Sequence, residues 1–120
     1  MAKEDNLVIL YVPCSSEEEA AKLATALLAE RLIACGNIYR SRSMYRWEGT
    51  ITDESEFVLF AKTTRALSAM ATTRVKELHS YELPCVIAIE PDGVNEEYAR
   101  WVAGEVSGHP AFTAATMGDS

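Results

Sequence analysis

Residues 38–64, IYRSRSMYRWEGTITDESEFVLFAKTT, contain two β-rich runs on either side of a Gly49–Thr50 step. Glycine in the first central position favours a type II′ turn, so we expect one β-hairpin closed by Glu48 and Ile51. Each arm then holds about a dozen residues, which at roughly 3.3 Å per residue gives about 40 Å. A compact domain of this chain length is only about 35 Å across. The hairpin is therefore expected to protrude from its own domain.

A protruding two-stranded ribbon is marginally stable alone and leaves its edges open to pairing. We therefore expect other copies of the chain to cover it. Tyr45 and Trp47 alternate onto one face of the ribbon and are predicted to anchor the interface between subunits. The alternative for these two aromatic residues is a platform on which a ligand stacks.

The composition limits the classes of protein that remain. The chain has 120 residues, enough for one domain, and its net charge of −7 disfavours nucleic acid and anionic membranes as partners. No signal peptide or membrane-spanning run is visible, so a soluble cytoplasmic protein is expected. Three cysteines without a C-x-x-C pair fit a reducing compartment better than a disulfide framework.

Hydrophobic periodicity predicts the remaining elements. An apolar run predicts a first strand that ends at Pro13, and a capping box at Ser15 or Ser16 begins a helix that reaches about Arg31. A second helix follows the hairpin, and a buried strand and a short helix capped by Asn95 come after it. The predicted ranges are 7–12 for the first strand, 85–90 for the last strand, 1–6 for an N-terminal tail, 7–105 for a single domain and 106–120 for a loose C-terminal tail.

The order strand, helix, hairpin, helix, strand and terminal helix predicts an α+β fold. It matches the ferredoxin-like split β-α-β sandwich, with a long protruding β-hairpin and a C-terminal helix added. The sequence contains no G-x-G-x-x-G, G-x-S-x-G, H-E-x-x-H or G-x-x-x-x-G-K motif. We therefore expect no enzymatic activity.

The segment 79–85, HSYELPC, brings an imidazole, a phenol, a carboxylate and a thiol close together before the last strand. Imidazole and thiolate suit copper or zinc, and the soft sulfur favours cuprous copper. His79 and Cys85 are thus candidate metal ligands, with Tyr11 or Glu82 as weak helpers and an affinity that is micromolar or weaker. The alternative is that His79 simply ends a helix and Cys85 is a small buried residue.

The hairpin also carries a basic stripe, because Arg40, Arg42 and Arg46 alternate onto one face. With Lys62 these side chains could hold a carboxylate or phosphate. The alternative is that they pair with acidic residues across the hairpin or between subunits.

Four short segments closely resemble the CutA family of divalent-cation tolerance proteins. They are Ala34-Cys-x-Asn37, Tyr45-x-Trp-Glu-Gly49, Lys62-Thr63 and His79-x-Tyr-Glu-x-Pro84. The resemblance covers roughly residues 7–101. It implies a ferredoxin-like fold similar to PII signalling proteins, a tight homotrimer assembled through the hairpins, a cytoplasmic location and a role in tolerance of copper and other divalent metals.

The resemblance also implies copper ligands at three positions. His79 matches the family's histidine, Tyr11 stands at the position of a first-strand cysteine, and Cys85 stands at the position of a glutamate.

Two functional hypotheses follow. The first is a homotrimer of metal homeostasis that binds divalent cations weakly, with no required cofactor. The second is a PII-like sensor that binds a small anionic metabolite in clefts between subunits. The candidate cleft residues are Arg46, Trp47, Lys62, Tyr81 and Glu82.

Overall fold

A computed structural model describes residues 2–106 of the chain. The elements in chain order are a 3₁₀ turn Lys3–Asp5, β1 Leu7–Cys14, α1 Glu17–Ala29, β2 Cys35–Trp47, β3 Thr50–Thr64, α2 Arg65–Leu78, β4 Ile87–Ile89 and α3 Glu96–Glu105. Val106, the first residue of the predicted C-terminal tail, is buried. The rest of that predicted tail, 107–120, lies outside the described residues.

The strands form one sheet in the order β2-β3-β1-β4, and each neighbouring pair is antiparallel. This order and the alternation of strands and helices confirm the α+β, ferredoxin-like plan predicted from the sequence. β1 and β3 occupy the centre of the sheet, where their alternate residues Leu10, Val12, Leu59 and Ala61 are fully buried. These residues pack in one core with the apolar sides of α1 and α2, so both helices cover the same face of the sheet.

The opposite face of the sheet is aromatic and partly open. Phe60 of β3 lies edge-on to Tyr11 and to Tyr39, with ring centroids 5.6 Å apart in both pairs. At one end of this face the Tyr98 hydroxyl of α3 contacts Cys35 Sγ at 3.1 Å. Beyond α3 the face keeps large apolar side chains in the open, including Tyr39 at 58% exposure and two isoleucines of β4.

The hairpin pairs without interruption from Cys35 opposite Lys62 to Trp47 opposite Thr50. Its tip differs from the prediction, because the two central residues are Glu48 and Gly49 rather than Gly49 and Thr50. Both have positive φ, 48° and 82°, as a type I′ turn requires. The predicted type II′ turn is therefore wrong by one residue: the register places Trp47 and Thr50 as the closing pair.

The predicted overhang is confirmed. The arms of the hairpin hold 13 and 15 residues, and the molecule measures 49 × 32 × 20 Å with a radius of gyration of 15.4 Å. A compact domain of the same length has a radius of gyration of about 13 to 14 Å.

Two strand predictions need correction. Pro13 does not end β1, since it pairs opposite Val58 within the strand. The Pro13 carbonyl points to His79 Nε2 at 2.8 Å, and a strand residue directs its N–H to the same side as its C=O. The missing N–H of Pro13 therefore removes no bond to β3. The last strand, Ile87–Ile89, is shorter than predicted. It is also exposed rather than buried, because it is an edge strand and its isoleucines lie on the open face of the sheet.

Candidate functional site

The imidazole of His79 lies at the C-terminal end of α2 and is held by both ring nitrogens. Its side chain is fully buried. Nε2 lies 2.8 Å from the Pro13 carbonyl, which can only accept a hydrogen bond, so Nε2 carries the proton. Nδ1 accepts a hydrogen bond from the Tyr81 backbone N–H at 3.1 Å. These two bonds fix the ring as a neutral tautomer with its lone pair on Nδ1.

Glu19 approaches the same imidazole from the first turn of α1. Ser16 caps this helix by accepting from the Glu19 backbone N–H at 3.0 Å. Glu19 Oε1 accepts from the backbone and hydroxyl of Ser15, each at 2.9 Å, and Oε2 accepts from the Ser80 N–H at 2.8 Å. Burial acts to raise the pKa of Glu19, but these hydrogen bonds outweigh it and lower the pKa to about 2.

Cys14 completes the cluster from the end of β1. Its thiol is fully buried on the helix-facing side of the sheet. One ligand atom from each of Cys14, Glu19 and His79 lies within 4.8 Å of the others. Burial, with the negative charges of Glu19 and Glu56, raises the pKa of Cys14 to about 12. A thiol, a carboxylate and an imidazole at this spacing are a possible ligand set for zinc or copper.

The three predicted metal ligands, His79, Tyr11 and Cys85, lie in different places in the structure. His79 lies in the cluster with Cys14 and Glu19. Tyr11 packs against Phe60 and is an odd number of strand positions from Cys14, so it lies on the opposite face of β1. Cys85 lines a separate cavity. Sequence reasoning missed both Cys14 and Glu19 as ligand candidates. For Glu19, the Ser16–Glu19 capping box could have indicated that its carboxylate folds back beside the end of β1.

The cavity lies between the hairpin and the segment that precedes β4, and its volume is about 350 Å³. Its lining residues are Pro13, Tyr45, Trp47, Glu56, Tyr81, Glu82, Leu83 and Cys85. Glu56 is only 6% exposed, and its Oε2 accepts a hydrogen bond from the Tyr81 hydroxyl at 2.6 Å. The Tyr45 hydroxyl donates to Glu54 Oε1 at 2.5 Å.

Three of the five predicted cleft residues, Trp47, Tyr81 and Glu82, line this cavity, but the two basic ones do not. Arg46 alternates onto the other face of β2 from Trp47, and the Lys62 ammonium donates to Asn37 Oδ1. The lining therefore carries carboxylates without a lysine or arginine, which disfavours an anionic metabolite.

The basic stripe forms as predicted, because Arg40, Arg42 and Arg46 share one face in the unbroken register of the hairpin. Arg42 binds Asp53 through two hydrogen bonds, 3.0 and 2.7 Å long, and Arg40 donates to Ser55 Oγ at 3.3 Å. These bonds support the alternative in which the stripe pairs across the hairpin.

Within residues 2–106, no helix has both the length and the apolar character needed to cross a membrane.

The sequence was also compared with those of known protein families and of individual proteins. The family model for the CutA1 divalent ion tolerance protein matches residues 8–105. The divalent-cation tolerance protein CutA of Pyrococcus horikoshii is 40% identical over 99 residues, which span 82% of this chain and 97% of that protein. The chloroplastic protein CutA of Arabidopsis thaliana is 35% identical over 96 residues, 79% of this chain and 53% of that protein.

A solved structure has the same fold. The periplasmic divalent cation tolerance protein CutA of Archaeoglobus fulgidus matches with a TM-score of 0.81 at 35% sequence identity. The match covers 84% of this chain and 99% of the other.

Proposed function

Because the chain belongs to the CutA1 divalent ion tolerance family, we propose that it acts in metal tolerance by binding divalent cations, copper among them, without catalysing a reaction. The observation that carries this proposal is the convergence of Cys14, Glu19 and His79 within 4.8 Å. These three side chains come from a strand end, a helix start and a helix end, so the fold itself holds them together.

Binding at this cluster is expected to be weak and pH-dependent. A metal ion at His79 Nδ1 must replace the hydrogen bond from Tyr81 N–H, and a metal ion at Cys14 must displace the thiol proton. The raised pKa of Cys14 makes that displacement costly at neutral pH. Affinity should therefore rise with pH, and the metal is expected to bind reversibly rather than as a required cofactor.

Two sets of ligands for His79 can be separated by mutation. The structure pairs it with Cys14 and Glu19, whereas the sequence resemblance pairs it with Cys85 and Tyr11. The experiment is a titration with zinc, which tests divalent-cation binding directly, on the wild type and on His79→Ala, Cys14→Ser and Cys85→Ser. A parallel competition titration uses cuprous copper under reducing conditions, the monovalent state that thiol ligands favour. Loss of binding in His79→Ala and Cys14→Ser, with Cys85→Ser unchanged, supports the cluster.

The opposite pattern, in which Cys85→Ser loses binding and Cys14→Ser keeps it, assigns the metal to the second set. Equal binding by all four proteins contradicts the proposal, because the metal would then bind only to scattered surface groups. Circular dichroism of each variant checks that a loss of binding is not a loss of fold.

We further propose that the protein works as a homotrimer, with Tyr45 and Trp47 among the interface residues. The support is the protruding hairpin and the apolar side chains left in the open on one face of the sheet, such as Ile87 at 50% and Ile89 at 42% exposure. Light scattering at low micromolar concentration should give about three chain masses. A mass of one chain at every concentration would refute this assembly.

We propose a cytoplasmic location, which agrees with three cysteines that are free of disulfides. The relatives from Arabidopsis thaliana and Archaeoglobus fulgidus are named chloroplastic and periplasmic, respectively. Cell fractionation with an antibody to the protein tests the location, and recovery outside the cytoplasmic fraction would refute it.

A further inference from the structure

The cavity beside the hairpin has the size and the chemistry of a small-molecule site, and the proposed metal site does not use it. Its volume of about 350 Å³ lies within the range of ligand pockets. Three of its lining residues are aromatic: Tyr45, Trp47 and Tyr81. Aromatic faces attract cations through their ring quadrupole, most strongly when water is excluded.

The charge of the cavity has one sign. Glu56 and Glu82 line it, together with no lysine, arginine or histidine. Glu54 adds a further carboxylate next to the cavity through its bond to the Tyr45 hydroxyl. A low-dielectric wall with carboxylates of this kind concentrates cations and repels anions.

Glu56 is the group that would contact a ligand directly. It is 6% exposed, and its Oε2 is bound by the Tyr81 hydroxyl. Oε1 makes no hydrogen bond within residues 2–106, where no fully buried polar side-chain atom lacks a partner. Oε1 must therefore be accessible, and the space beside it is the cavity that Glu56 lines.

The tyrosine that bonds Glu56 stays a neutral donor. Burial, followed by the bond to Glu56, raises the pKa of Tyr81 well above its usual range. The pair therefore holds the carboxylate in place with one oxygen bound and the other oxygen free for a cationic donor.

From this arrangement we propose that the cavity binds a small organic ammonium ion, with its N–H groups on Glu56 Oε1 and its carbon atoms against Trp47 and Tyr45. A bare metal ion suits the cavity less well, because the cluster of three metal-ligating side chains found within residues 2–106 lies elsewhere, at Cys14, Glu19 and His79. Cys14, Glu19 and His79 do not line the cavity, so this inference does not rest on the proposed metal function.

The partial exposure of Trp47, 40%, and of Tyr45, 38%, is compatible with both roles given to them. One part of each ring lines the cavity, which leaves the exposed part for contact with a neighbouring copy in the proposed trimer. The test therefore uses the full-length protein in the assembly in which it is purified.

The experiment compares three probes of similar size and different charge: n-butylammonium, 1-butanol and butyrate. Trp101→Phe removes the second of two tryptophans, so fluorescence in this background reports Trp47 alone. We expect saturable binding of n-butylammonium with a dissociation constant on the order of 1 mM. The affinity should exceed that of 1-butanol and of butyrate by about tenfold or more.

The matched variants are Glu56→Gln, which removes the charge with little change in shape, and Glu97→Gln, which removes an equal charge from the exposed surface of α3. Glu56→Gln should weaken n-butylammonium binding by about tenfold, since hydrogen bonds between charged groups are the stronger ones. Glu97→Gln should bind as the wild type does.

Equal affinity for n-butylammonium and 1-butanol would show that the cavity is merely apolar and would overturn the proposal. Preference for butyrate, or no saturable binding of any probe, would also overturn it. The probe series on the unmutated cavity needs no substitution at Glu56, so the proposal can be refuted even if Glu56→Gln fails to fold. A positive result here together with no copper binding would reject the metal function alone.

Discussion

Replacing Glu19 with glutamine should remove a large acid-dependent part of the protein's stability. The carboxylate accepts three hydrogen bonds, two from Ser15 and one from the Ser80 N–H. It thereby joins the start of α1 to the segment that follows α2. Glutamine keeps the shape of the side chain but loses the charge, and its NH₂ group cannot accept the bond from Ser80.

The pKa of Glu19 gives the size of this contribution to stability and the direction in which it changes with pH. It falls from an ordinary 4.5 to about 2 in the folded protein, which at about 1.4 kcal/mol per pH unit corresponds to about 3 kcal/mol. Because the folded pKa is the lower one, this stabilisation is complete above about pH 5 and is lost as the pH falls towards 2. The side chain is 14% exposed, and screening by solvent reduces the expected loss between pH 6 and pH 3 to about 1 to 2 kcal/mol.

The assay is urea unfolding of metal-free wild type, Glu19→Gln and Glu18→Gln at one protein concentration and a series of pH values. Glu18 is the control, because it is exposed on the same helical turn. The wild type should be more stable than Glu19→Gln at pH 6, and the difference between the two free energies of unfolding should shrink by about 1 to 2 kcal/mol between pH 6 and pH 3 and close only as the pH falls to 2 or below. Parallel pH dependences for all three proteins would refute the reasoning.

Three further predictions concern the hairpin and the core. Trp47→Ala should weaken assembly by about 2 kcal/mol or more, measured by light scattering on dilution. A larger loss of assembly in Trp101→Ala would show that the hairpin is not the main contact between subunits. Glu48→Gly should raise stability by up to about 1 kcal/mol because Glu48 has φ 48°, whereas Gly49→Ala should lower it; equal urea midpoints would contradict the type I′ turn. Leu59→Ala, at a fully buried position, should cost about 2 to 5 kcal/mol in urea unfolding, and a loss below 1 kcal/mol would contradict its place in the core.

The sequence predicts the fold well where side-chain periodicity carries the signal. The alternation of Arg40 and Arg42 against Tyr39 holds through the whole hairpin, because an unbroken antiparallel register preserves period 2. The exact turn was not predictable from Gly49 alone. A glycine can occupy a central position of either a type I′ or a type II′ turn, and only the cross-strand register decides between them.

The candidate sites were less predictable, since they depend on which residues distant segments bring together. The sequence predicts His79 as a metal ligand, but its neighbours Cys14 and Glu19 are 65 and 60 positions away in sequence. The sequence predicts Trp47, Tyr81 and Glu82 in a cleft between subunits, and within the single chain these three side chains line one cavity. The charge of that cavity depends on Glu56, whose burial follows from packing against Tyr81 and has no local signal.

The segment between α2 and β4 connects the two proposed sites. The Tyr81 backbone N–H donates to His79 Nδ1, while the Tyr81 hydroxyl donates to Glu56 in the cavity. A metal ion at Nδ1 takes the lone pair that this N–H uses, so metal binding and the present position of the Tyr81 backbone exclude each other. Since Tyr81 also holds the carboxylate that faces the cavity, a displaced Tyr81 backbone alters the cavity at the same time. If metal binding changes the affinity of the cavity for its ligand by a given factor, thermodynamic reciprocity requires that the ligand change the metal affinity by the same factor.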